Sequence, residues 1–187
     1  MSDLLIPRGA VLFEEHFEHG LADWHHEGGG RVEIAEPGVM RLDCTGSRQG
    51  GVGTQAFCRR DFPDHIAIEY DMRVEQSNGL VITFFAMRGL HGDDGVHTGV
   101  SNFRRNPGCH LRGQGLDLCK EIRRTYRVCI VKDGLHCQLG VDGRLAHEFT
   151  DPEELPDEVP TAGKTGFRAI GSLVVADLSN FRVTALR

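Results

Sequence analysis

Tryptophan occurs once in this chain, at Trp24, and tyrosine twice, at Tyr70 and Tyr126. Carbohydrate clefts commonly stack sugars on exposed aromatic rings, so this scarcity argues against a long groove that grips a glycan by stacking. Trp24, close to an N-terminal strand, reads as a core residue. Apolar runs are short as well. None approaches the ~20 residues a membrane helix needs, and no membrane partner is expected. The opening "MSDLLIPRGAVLFEEHFEHG" lacks a charged n-region followed by a long apolar stretch, so no export signal is read and a cytoplasmic location is expected. The six cysteines (Cys44, Cys58, Cys109, Cys119, Cys129 and Cys137) contain no C-x-x-C pair. That spacing argues against a cysteine zinc site, and the expectation is free, structural thiols. Lys and Arg number 21 against 27 Asp and Glu, for a net charge of −6, and the cations are scattered. Such a balance exerts no long-range pull on nucleic acid.

A sustained helical repeat is also lacking. What is present is alternation with period two, broken by Gly and Asp turns. "VLFEEHF", "RVEIAE" and "VMRLDC" are early strands. In "HIAIEYDMRVE", Ile66, Ile68, Tyr70, Met72 and Val74 share one face, while Glu69, Asp71, Arg73 and Glu75 share the other. "LVITFFAM" is apolar on both faces and suits a buried strand. "TYRVCIVKDGLHCQLGVDGRLAHEF" is a three-stranded meander whose Asp133-Gly134 and Asp142-Gly143 pairs supply the positive φ of tight hairpins. "GKTGFRAI" and "LVVADLSNFRVTAL" close the chain as strands. Strands at this spacing imply a single all-β domain over 1–187, a jelly-roll sandwich of two curved antiparallel sheets.

One strand-like stretch, "HTGVSNFRRN", carries polar groups where the others are apolar. Alternation puts His97, Ser101 and Arg105 on one face, in steps of ~7 Å, and Asn102 and Arg104 on the other. Arg suits a sugar carboxylate because its fork engages both oxygens. The plainer reading is that one arginine faces solvent and the other pairs with a carboxylate.

The order of "LFEEHFEHGLADW", "NGLVITFFAMRG", "SNFRRN", "NPGCHLRGQG", "VDG" and "GKTGFRAIGSLVVADLSNFRVTALR" resembles the YesU-like family of bacterial proteins of unknown function. The resemblance spans nearly the whole chain, and its most specific parts are the Arg-Arg strand and the "GKTGFR" segment. It implies a concanavalin A-like jelly roll, and relatives are associated with plant-polysaccharide breakdown. Arg104, Arg105 and Arg168 match the family pattern; Gly99 and Asn102 stand where it has a His and a Tyr.

Within that superfamily the expectation is a carbohydrate-active or carbohydrate-binding protein for short, acidic oligosaccharides. As a lyase, Arg105 (or Arg104) would neutralise a uronate carboxylate and His97 would take the adjacent proton. Ser101 and Asn102 would orient hydroxyls, with Arg168 in support. As a glycosidase, Glu69 and Asp71 are the local carboxylates, but E-x-D-x-x-x-E with Arg73 interposed is not the spacing of retaining enzymes of this fold. These acids read as a polar outer face. The competing classes are a non-catalytic lectin-like module and a structural accessory subunit. No cofactor is called for by the chemistry. A structural Ca²⁺ on Glu15 or Glu18 with Asp177 is a further expectation, taken from the superfamily and from calcium's preference for oxygen.

Overall fold

The alternating segments fold as strands. The computed structural model describes residues 4, 9–46, 53–87, 89–90, 116, 118–119, 121–150 and 162–187. Among the described residues there are twelve strands: β1 (Val11–Glu15), β2 (Trp24–Gly28), β3 (Arg31–Glu36), β4 (Val39–Asp43), β5 (Thr54–Cys58), β6 (Ile66–Gln76), β7 (Leu80–Met87), β8 (Thr125–Asp133), β9 (His136–Val141), β10 (Arg144–Thr150), β11 (Lys164–Ile170) and β12 (Val175–Ala185). They make two antiparallel sheets. The larger runs β10-β9-β8-β6-β12-β4-β3, with β1 also on β12; the smaller runs β2-β5-β11-β7.

β12 organises the larger sheet. β6 lies along one side of it, while β4 pairs with its first part and β1 with its second. The hand-over falls at a bulge between Ser179 and Arg182, where Asn180 takes φ 50°. Asn is among the few residues that visit this conformation readily. The meander turns are closed by Gly134 (φ 59°) and by Asp142 and Gly143 (φ 49° and 74°), as hairpin geometry demands.

The facing sides of the sheets enclose the core. Ile66, Ile68 and Tyr70 of β6 meet Val128, Ile130, Leu178 and Val183 in one cluster with Ala56, Phe167 and Ala169 of the smaller sheet. Aromatic rings hold the centre. Phe167 stacks on Trp24 at 5.8 Å and meets Tyr70 edge-on at 4.9 Å and Phe181 at 5.8 Å. Trp24 is thus a core residue, as its sequence position implies. Tyr70 also links the layers through its hydroxyl, 2.5 Å from Thr83 Oγ1 of β7. Burial raises its pKa far above the usual phenol. Cys44, Cys58, Cys119, Cys129 and Cys137 are free thiols. Cys109 lies outside the described residues. No described helix is long and apolar enough to cross a membrane.

Two strands have no counterpart in the sequence reading. "WHHEG" (β2) and "TQAFC" (β5) are five residues each and show no clean alternation of polarity. β5 is buried along its whole length, which removes the polar-out signature that makes a strand legible.

Candidate functional site

The outward face of the smaller sheet is built by these short strands together with β11 and β7. Phe167 and Ala169 point into the core, so Gly166 and Arg168 point the other way. The ladder fixes their neighbours. Gly166 lies between Phe57 and Phe84, and Arg168 lies between Gln55 and Ile82. Gln55 in turn pairs with Glu27 and Phe57 with His25. Two rows therefore cross the sheet: His25, Phe57, Gly166, Phe84 and, one step along, Glu27, Gln55, Arg168, Ile82.

Beyond half-buried His25, the first row is an apolar floor. Phe57 and Phe84 are buried, and their rings approach to 5.7 Å across β11. Gly166 permits this. A Cβ there would stand 2.5 Å from Phe57 Cδ1 and 2.6 Å from the carbonyl oxygen of Ala56. At the centre of the second row two polar side chains are buried, between half-buried Glu27 and apolar Ile82. Arg168 is 9% exposed and Gln55 only 2%. Arg168, Glu27 and His25 each have partners within the protein. The Gln55 side-chain oxygen has none among the described residues. Next to this face, His26 is held below the ordinary imidazole value by burial and by the neighbouring His25.

The outward face of the larger sheet is different in kind. Arg41 binds both oxygens of Asp177, at 2.6 and 2.8 Å, and Arg73 reaches the same carboxylate at 3.3 Å and Glu75 at 2.5 Å. Arg127 lies 3.3 Å from Asp71 and 3.6 Å from Glu69. A depression of about 180 Å³ opens among Glu36, Asp71, Arg73, Asp177 and Ser179. Asp71 and Asp177 are matched there by arginines, and Glu36 is exposed to solvent, so the buried charge of the depression is internally compensated.

The family described as a domain of unknown function, DUF1961, matches residues 10–101 and 96–183. The chain belongs to this family. It is 23% identical over 205 residues to the uncharacterized protein YesU of Bacillus subtilis, covering 88% of this chain and 91% of that one. Among solved structures, a Bacillus subtilis protein of unknown function with a galectin-like fold superposes with a TM-score of 0.74 at 21% identity, over 97% of this chain and all (100%) of the other. A non-specific endo-β-1,3(4)-glucanase from family GH16 gives a TM-score of 0.66 at 12% identity, over 100% and 95% of the two chains. The carbohydrate-binding module CBM66 of Bacillus subtilis gives 0.62 at 13% identity, over 88% and 97%. The fold is therefore the jelly-roll sandwich that the alternation and the resemblance imply.

The residues singled out in the sequence distribute unevenly. Arg168 falls on the buried polar row. His97, Ser101, Asn102, Arg104 and Arg105 lie outside the described residues. Glu69 and Asp71 stand with Arg127 on the larger sheet, in accord with a polar outer face. Glu15, Glu18 and Asp177 are not brought together. Glu15 sits opposite Phe181, four residues along β12 from Asp177, or ~13 Å of strand. Its carboxylate accepts the Phe17 amide at 2.7 Å, Glu18 is exposed, and Asp177 is taken by two arginines. Among the described residues no group of three His, Cys, Asp or Glu is close enough to hold a metal. Gln55, Glu27 and His25 escaped the sequence reading. The available signal was the glycine-rich "GSRQGGVG" that ends at Gly53 and marks a strand start immediately before Gln55.

Proposed function

We propose that the outward face of the four-stranded sheet binds a short acidic oligosaccharide, with Arg168 receiving the carboxylate. The observation that carries this is the buried polar row itself. A guanidinium and an amide are set side by side on an apolar floor, at a sheet face where burial of polar groups costs free energy unless something satisfies them. Arg carries five donors in a rigid fork that matches the two oxygens of a carboxylate, which is the chemistry an acidic sugar would use here. The carbohydrate class is supported by fold neighbours named as a carbohydrate-binding module and a glucanase. Acidity is supported by Arg168 alone.

Binding is favoured over hydrolysis. Glycoside hydrolysis uses two carboxyl groups, about 5–5.5 Å or 6.5–9.5 Å apart. Among the described strand residues of this face, Glu27 is the sole carboxylate. Calorimetry with uronate-containing and neutral oligosaccharides tests the proposal, read together with unsaturated-product absorbance and new reducing ends. Acidic ligands should bind without turnover. Arg168→Lys, which keeps the charge but loses the fork, should weaken them about tenfold or more. Equal binding of neutral sugars, or an Arg168→Lys variant indistinguishable from the parent, would refute it; turnover would replace a binding protein with an enzyme.

A further inference from the structure

The structure assigns Gln55 a role in specificity: its side-chain oxygen accepts a hydrogen bond from the sugar hydroxyl next to the carboxylate that Arg168 holds. This rests on the reading of the face as an acidic-sugar site. Buried side-chain oxygens and nitrogens in folded proteins are almost always paired, and an unpaired one costs stability. Three such atoms stand out among the described residues: Trp24 Nε1, Glu75 Oε1 and Gln55 Oε1. Trp24 is enclosed between the sheets by Phe17, Phe167 and Phe181, where no ligand enters. Glu75 Oε1 lies 2.5 Å from Arg73 Nε and is neutralised there. Gln55 alone of the three belongs to the face that carries Arg168.

The spacing matches one sugar geometry. Gln55 and Arg168 are directly opposite each other across β5 and β11, so their side chains start about 5 Å apart. In a hexuronate the carboxyl group is carried by C5. One ring neighbour of C5 is the ring oxygen, which only accepts. The other is C4, whose hydroxyl can donate. An acceptor beside the carboxylate-binding arginine therefore calls for a free 4-hydroxyl. The ligand class narrows to a uronate with O4 unsubstituted, at a chain end or as a side branch, and excludes an internal 4-linked unit.

Glucuronate- and 4-O-methylglucuronate-substituted xylo-oligosaccharides differ at that hydroxyl only. The parent protein should bind the first about tenfold more tightly, the effect of one hydrogen bond whose loss leaves an acceptor unpaired. Gln55→Leu should bind both alike, at the parent's affinity for the methylated sugar, and should melt no lower than the parent because an orphaned polar atom is gone. Gln55→Met serves if Leu does not fold. If the parent does not discriminate, or a Gln55 variant still does, while Arg168→Lys weakens both ligands, the assignment of Gln55 is wrong and the acidic-sugar reading survives. If the parent binds neither sugar, both fall.

Discussion

Gly166 offers a direct test of how the candidate site is held. Gly166→Ala adds one methyl group at a strand position whose backbone an alanine adopts without strain. On conformational entropy alone it would stabilise by about 0.4–1 kcal/mol. The surroundings oppose this. The new Cβ would lie 2.5 Å from Phe57 Cδ1, 2.6 Å from the Ala56 carbonyl oxygen and 3.0 Å from Phe57 Cα. Carbon contacts are optimal at about 3.5–4.0 Å, so overlap of roughly an ångström arises against both ring and backbone. The ring could swing, but it abuts Phe84 at 5.7 Å. The carbonyl belongs to the β5–β11 ladder and cannot retreat without opening it. Overpacking of this kind costs about 1–3 kcal/mol, which outweighs the entropic gain. For a domain of this length, thermal melting should fall by roughly 2–4 °C per kcal/mol, or several degrees in all. Differential scanning calorimetry of parent and variant measures it. An unchanged or raised melting temperature would show that β5 and β11 are not in the close register described, and the Gln55–Arg168 pairing would go with it.

Tyr70→Phe should destabilise by about 1–3 kcal/mol, since it leaves the Thr83 hydroxyl unpaired beside the core; chemical denaturation reads this out, and a neutral result would mean water takes over the Tyr70 role. Asp177→Ala should cost roughly 1–2 kcal/mol, less than a fully buried pair, because Arg41 and Arg73 remain partly solvated, and the loss should shrink in Arg41→Met Asp177→Ala double variants. Burial acts to raise the Asp43 carboxyl, but hydrogen bonds from Thr45 and Arg31 prevail and hold it below the usual aspartate value. Its contribution is therefore present above the unfolded value near ~3.9 and is lost as pH falls below that value and through the folded one. The acid limb of the melting profile should flatten in Asp43→Asn. Native alkylation should modify exposed Cys119 quickly and spare Cys58 and Cys129, whose thiols burial pushes up to about 11 and about 12; labelling of the buried pair at the rate of Cys119 would contradict the packing.

Much of the fold was legible in the residues because the larger sheet has one dry face and one wet face. β6 shows it best. Ile66, Ile68 and Tyr70 enter the core, while Glu69, Asp71 and Arg73 form ion pairs outside, and period two records that difference directly. Asp-Gly pairs announced the meander because few other residues accept its backbone angles. The family resemblance pointed to Arg168 through the "GKTGFR" segment. Tertiary structure decided the rest. β2 and β5 are short, and β5 is buried on both sides, so no alternation of polarity betrays it. The neighbours of Arg168 are Gln55 and Ile82, more than 80 residues away in the chain, and only strand pairing makes them adjacent. The same holds for Asp177, an isolated acid in the sequence, which Arg41 and Arg73 reach across two different ladders. Periodicity is a local property and reports which side of a strand is dry. Register is set by contacts between distant segments, and it is register that places a guanidinium beside an amide whose oxygen is unpaired among the described residues.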